Sequence, residues 1–172
     1  GLRLFVEQAH RFSRLVISDT GPFTGHQKMS DVWFKFRDFV ANAEDLPVGF
    51  LVEAGCKRDL APEAKAAYEA PFPTPESKAG TLAFPELVPT EPDHPSAAAM
   101  LEVRAALSRW EKPALVLFSD SDPIFSTVAA EHMASRIPGA GPAEIIPGAG
   151  HFLQEEKGEE IAARIVRFLA ES

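Results

Sequence analysis

Apolar residues recur along this chain with two different periods, and the alternation between them divides it into three stretches. Leu2, Phe5, Val6 and Ala9 fall on one face of a helix over residues 1–12. Leu15-Val16-Ile17 is a short apolar run ended by the turn-rich Ser18-Asp19-Thr20-Gly21-Pro22, the pattern of a strand and its exit. From residue 28 to residue 110 the texture changes to short amphipathic helices interrupted by proline. Seven of the 15 prolines lie between Pro71 and Pro95, which forbids a long helix there and predicts ordered loops. After Lys112 a strand–helix–strand–helix rhythm returns. Apolar runs near 114–118 and 143–147 flank a helix near 126–136, and an amphipathic helix over 156–170 closes the chain with Ile161, Ile165, Phe168 and Leu169 as its buried stripe.

A strand and helix, a helical insertion, then two more strand–helix units predict an α/β fold. Residues 1–27 and 111–172 form part of a doubly wound parallel sheet, and residues 28–110 an inserted helical cap. A chain of 172 residues, 45% hydrophobic and 24% charged, holds one good core. Its formal net charge of -8 argues against nucleic acid or an anionic membrane as partner, because either calls for a basic face. The single cysteine, Cys56, excludes an internal disulfide framework and fits a reducing cytoplasm, and no apolar run reaches membrane-spanning length. Gly1-Leu2-Arg3-Leu4 opens the chain without Met and already in helical pattern, so further residues are expected before it.

Candidate chemistry gathers at the ends of the two late apolar runs. Phe118-Ser119-Asp120-Ser121-Asp122-Pro123 closes the first, and Gly148-Ala149-Gly150-His151-Phe152 closes the second. Asp122 precedes proline, which biases it out of the helical region and leaves its carboxylate free to point off the strand end. Gly148 and Gly150 let the backbone turn sharply and aim the His151 imidazole. A carboxylate on one imidazole nitrogen fixes the tautomer and leaves the other nitrogen to take a proton from water. The alternative stays open on these residues alone: Asp122 caps the next helix and His151 is a half-buried loop residue. Asp120 rivals Asp122 but stands nearer the strand end, where it serves the turn.

Acid before histidine, each after a late strand, is the order of an α/β-hydrolase. Several segments resemble one family within it. They are Arg11-Phe12-Ser13-Arg14-Leu15-Val16, Tyr68-Glu69-Ala70-Pro71-Phe72-Pro73, Lys78-Ala79-Gly80, Phe84-Pro85 and the two motifs around Asp122 and His151. Together they are similar to the haloalkane dehalogenases, across essentially the whole chain. The resemblance implies hydrolytic dehalogenation through an aspartate nucleophile, which displaces halide to form an alkyl ester that a histidine-activated water then cleaves. It makes Asp122 the triad acid and His151 the base, and it puts the nucleophile upstream of Gly1, so that these residues form the C-terminal portion of the hydrolase fold. It also implies Trp33 as a halide-holding tryptophan, with Phe72, Phe84 and Pro85 lining the pocket. An indole N–H donates without accepting, which suits a departing anion. On periodicity alone Trp33 instead joins Phe36 and Val40 on the buried face of a helix starting at Ser30.

Asp19 stands where a related subfamily carries its triad acid, and reads either as a second acid or as a turn residue before Gly21-Pro22. The five histidines show no ligand spacing and there is no His-Glu-x-x-His, so neither metal nor other cofactor is expected. Lys57 is positioned in sequence to lower the pKa of Cys56, though no elbow pattern surrounds that thiol and it is expected to be inert. The expected partners are a small apolar halogenated substrate, water and halide, with a monomeric full-length protein. Three alternatives remain. An epoxide hydrolase would call for two cap tyrosines where this chain has only Tyr68. An esterase would differ in the upstream nucleophile, and the third alternative is a truncated, non-catalytic binding protein. The 172 residues alone are expected to be inactive and prone to associate through an unpaired strand edge.

Overall fold

In the computed structural model, which describes residues 1–172, the three apolar runs form three parallel strands. These are β1 (Leu15–Ser18), β2 (Ala114–Ser119) and β3 (Glu144–Ile146), in the spatial order β1-β2-β3. Leu15 pairs with Ala114 and Ser18 with Leu117, while Leu117 to Ser119 pair with Glu144 to Ile146. Parallel pairing brings the carboxyl ends of all three strands to one edge. All six residues of β2 are buried, as expected of a central strand covered on both faces.

The period-two alternation of β2 divides the core into two layers. Ala114, Val116 and Phe118 pack with Leu15 and Ile17 against helices α1 (Leu2–Glu7), α6 (Ala97–Leu107) and α7 (Thr127–Ser135). Leu115 and Leu117 face the other way, with Ile146 and Leu153, against α8 (Leu153–Glu171). Helices on both faces of a parallel sheet give the α/β class read from the sequence. The expected first helix is shorter than its pattern: α1 ends at Glu7, and a 3₁₀ turn over Ala9–Arg11 completes the segment. In α8, Ile161, Ile165 and Phe168 pack on the sheet, but Leu169 is 49% exposed, so the buried stripe is narrower than the sequence implies. Lys157 carries non-helical dihedrals near the start of that helix and kinks its first turn.

Between β1 and β2 the chain contains no strand. It runs through α2 (Asp31–Ala41), α3 (Val48–Gly55), α4 (Pro62–Glu69), α5 (Ala79–Ala83) and α6, with 3₁₀ turns at Pro75–Lys78 and Phe84–Leu87. Ser30 caps α2, accepting a hydrogen bond from the Trp33 N–H, and Pro62 opens α4 where a missing N–H costs nothing. Helix α6 falls inside the 28–110 stretch, and its Val103 and Leu107 belong to the core beneath the sheet.

Candidate functional site

The carboxyl edge of the sheet holds the one close imidazole–carboxylate pair of the chain. Beyond β2, Asp122 turns its carboxylate inward, and its side chain is fully buried. Its Oδ1 accepts the Ile124 N–H at 2.6 Å, a bond across Pro123 that locks the turn. Its Oδ2 accepts from His151 Nδ1 at 2.7 Å. A carboxylate on Nδ1 makes that nitrogen the protonated one and presents Nε2 as the acceptor. The His151 side chain is 35% exposed, so the pair is dry at the acid and open at the base.

The loop carrying His151 is held from several directions. Gly148 adopts φ +74°, a left-handed conformation natural to glycine, and its N–H donates to Asp120 Oδ1 at 3.0 Å. Asp120 is therefore occupied with the turn and does not reach the imidazole. Gly150 is required for a close approach, since a Cβ there would lie 2.4 Å from the Gly55 carbonyl oxygen. That same carbonyl accepts the His151 N–H at 2.7 Å, so the end of α3 is bonded directly to the histidine backbone. Glu156 strengthens the connection, accepting the Gly150 N–H through Oε2 and the Lys57 and Arg58 N–H groups through Oε1. Its neighbour Glu155 accepts the Tyr68 hydroxyl at 2.9 Å. The imidazole itself stacks on Phe125, with centroids 6.1 Å apart and planes 17° apart, and meets the edge of Phe152 at 5.2 Å.

Asp19 is not a surface turn residue. It is 8% exposed at the end of β1, with φ 30°, an uncommon conformation for a residue other than glycine. Its Oδ1 accepts the Ser119 N–H at 2.9 Å, while Oδ2 is buried without a partner, as is Ser119 Oγ. Burial pushes its carboxyl up to about 6, opposed by the hydrogen bond from the Ser119 N–H and assisted by the charge of Asp122. Burial works against protonation of His151, but the hydrogen bond and charge of Asp122, joined by the charge of Asp19, outweigh it and hold the imidazole above its ordinary value. Three ionisable groups thus face one another at the strand ends.

The residues expected on the substrate side all lie on the helical stretch between β1 and β2. Trp33 is 6% exposed, set edge-on to Phe34 at 5.3 Å and beneath the Arg37 guanidinium. Val40 is buried with it, but Phe36 is 39% exposed. Helix α2 lies against the 3₁₀ turn that carries Phe84 and Pro85. Pro85 is buried there, Phe72 is half-buried, and Phe84 is 68% exposed. No ring contact or hydrogen bond joins any of the four to Asp122 or His151. Cys56 reverses the expectation from Lys57: burial, then Glu156 and Glu155, push its thiol up to about 11, the state of an unreactive cysteine. Sequence reading missed Phe125, Gly55 and Glu156. Only the Gly55-Cys56 and Gly150-His151 dipeptides gave any hint that two backbones approach closely.

No family model matches the chain. Its sequence is 39% identical over 167 residues to a haloalkane dehalogenase of Mycobacterium marinum, an alignment covering 96% of this chain and 56% of that protein. It is 37% identical over 172 residues to one from Psychrobacter cryohalolentis, covering 98% of this chain and 56% of the relative. The chain thus spans little more than half the length of these curated relatives. Its structure is similar to haloalkane dehalogenase DpaA of Paraglaciecola agarilytica, a tetramer, with a TM-score of 0.83 at 26% identity over 95% of this chain and 55% of that one. The fold is also that of DbeA from Bradyrhizobium elkani, with a TM-score of 0.80 at 22% identity, covering 99% and 64% of the two chains.

Proposed function

The chain belongs with the haloalkane dehalogenases of the α/β-hydrolase superfamily, and from that premise we propose that it carries the acid–base half of a hydrolytic dehalogenation site. The observation that supports this reading above all others is the 2.7 Å bond between His151 Nδ1 and the buried Asp122 carboxylate. In the proposed reaction, a carboxylate oxygen from a residue outside this chain's 172 attacks the halogen-bearing carbon. The carbon–halogen bond breaks, halide leaves with the bonding electrons, and an alkyl ester remains. His151 Nε2 then takes a proton from water as the water oxygen adds to the ester carbonyl. Asp122 stabilises the imidazolium that forms and holds it in one orientation. Collapse of the tetrahedral adduct releases the alcohol, whose oxygen takes the proton from His151, and the second water proton passes to solvent as the carboxylate is restored.

Asp122 is the triad acid in this reading, because it alone bonds the imidazole. Asp19 adds to the negative field from the far side and keeps the imidazolium favourable. The stretch 28–110 is the cap that bounds the pocket, its last helix doubling as part of the layer beneath the sheet. Trp33 supplies an indole N–H to the departing halide, with Phe72, Phe84 and Pro85 as apolar pocket wall. The substrate is accordingly a small apolar haloalkane, and no helix is long and apolar enough to cross a membrane. An esterase on the same scaffold would share Asp122 and His151 and differ in its nucleophile. Assaying a protein that joins these residues to the preceding half distinguishes the two. Halide release from a bromoalkane, with stoichiometric alcohol, is expected; ester turnover without halide release would contradict the proposal.

A further inference from the structure

A groove with a charge opposite to that of the chain runs beneath the loop that follows β1, between α6 and α7. Its volume is about 850 Å³, large enough for a small organic molecule, and it shares no residue with the Asp122–His151 pair. Arg104 lies on its α6 wall, Arg136 at the end of α7, and His26 and His132 at its rim. None of the lining residues is acidic, in a chain whose formal net charge is -8. Neither arginine belongs to an ion pair, although the chain contains nine. Between the cationic groups the groove is apolar, lined by Leu101, Met133 and Ile137.

The Arg104 wall is preorganised. Its Nη1 donates to Thr24 Oγ1 at 3.2 Å, and Thr24 is completely buried, its own N–H donating to Gln27 Oε1 at 2.8 Å. The adjoining Gly25 holds φ +80° with its backbone pressed on that of Glu91, where a Cβ would lie 2.1 Å from the Glu91 carbonyl oxygen. A guanidinium fixed by a buried hydroxyl, with donors to spare, facing an apolar floor, suits a ligand with one anionic end and a hydrocarbon body. We propose that this groove is a binding site for amphipathic organic carboxylates, separate from the hydrolytic site. Phe125 lines the groove and also stacks on His151, so a bound ligand is felt at the imidazole.

Octanoate, 1-octanol and octylammonium carry the same hydrocarbon with negative, no and positive charge. Titrating each into a protein that joins these residues to the preceding half, followed by the side-chain NMR signals of His132, His26 and His151, tests the site without reference to any enzymatic activity. Saturable octanoate binding that shifts His132 and His151, weakens with ionic strength and falls at least about tenfold in Arg136→Gln is expected, since a charge-assisted bond is lost. Arg104→Gln should weaken it similarly, and the unchanged spectrum of the free Arg136→Gln protein checks that the fold is retained. Equal affinity for octanol, undiminished octanoate binding in Arg136→Gln, or no saturable shift would overturn the proposal.

Discussion

The two ends of the proposed site are built in opposite ways. At the strand ends, Asp122 and His151 are fixed by the Ile124 N–H and the Gly55 carbonyl, by the Glu156 carboxylate on the adjoining Gly150 N–H, by a stacked Phe125 and by a fully buried central strand. On the helical stretch between β1 and β2, Trp33 is packed but Phe34, Phe36, Phe39 and Phe84 all expose large aromatic surface. Exposed aromatics in such number mark faces made to meet something else. The Asp122–His151 geometry is therefore held by bonds within these residues, whereas the aromatic side chains proposed for the substrate side are left partly open. That difference predicts which substitutions act on chemistry and which on binding.

The largest effect is expected at Asp122. In a protein joined to its preceding half, Asp122→Ala should reduce steady-state turnover by about 10⁴-fold, because the imidazole loses both its tautomer control and its counter-charge. Asp19→Ala should do far less, since Asp19 does not bond the ring. If the Asp19 variant proves the more impaired in the same assay, the triad acid lies at the end of β1 instead.

Trp33→Phe probes the helical stretch instead. It keeps most of the packing and deletes one donor, whose loss costs on the order of 3 kcal/mol of transition-state stabilisation. The carbon–halogen step should slow by about 10²-fold and halide affinity should fall in a fluorescence titration, with thermal stability little changed. Unaltered halide affinity would return Trp33 to a packing role.

Asp19 offers a smaller effect, readable as stability. Its carboxyl is raised from 3.8 to about 6, so the folded state binds a proton that the unfolded chain has released. Between those values stability must fall as pH rises, by at most about 3 kcal/mol for a shift of this size. Asp19→Asn should flatten that part of the pH–stability curve and raise the melting temperature at neutral pH, as followed by circular dichroism. A curve identical to the parent would show that the buried carboxyl is solvated. In the same variant the His151 titration should move down, having lost one of the two charges that hold it up.

The sheet was legible in the sequence because strand signals are local. Apolar runs at 15–17 and 114–118 announce β1 and β2, and Asp122-Pro123 and Gly148-Ala149-Gly150-His151 announce turns at strand exits. Amphipathic periodicity was less accurate at helix ends, where Leu169 keeps the helical spacing but is 49% exposed. What joins the site was not legible. The Gly55 carbonyl, Glu156 and Phe125 reach His151 through tertiary approach, and no local pattern marks a carbonyl or a ring as a neighbour of a distant imidazole. Asp19 stays ambiguous in the sequence, between a second acid and a turn residue, because aspartate before Gly-Pro ordinarily serves a turn. Only the parallel register of β1 with β2 shows its carboxyl meeting the Ser119 N–H.

His151 is proposed as the base that discharges a covalent intermediate, a role that intact-protein mass spectrometry of His151→Ala in the joined protein would reveal. The nucleophile needs no base to attack carbon, so the variant should release one equivalent of halide and then hold the alkyl group. A mass increase equal to that alkyl group, with turnover abolished, is the predicted result. Continued multiple turnover, or halide release with no trapped alkyl-enzyme, would contradict it.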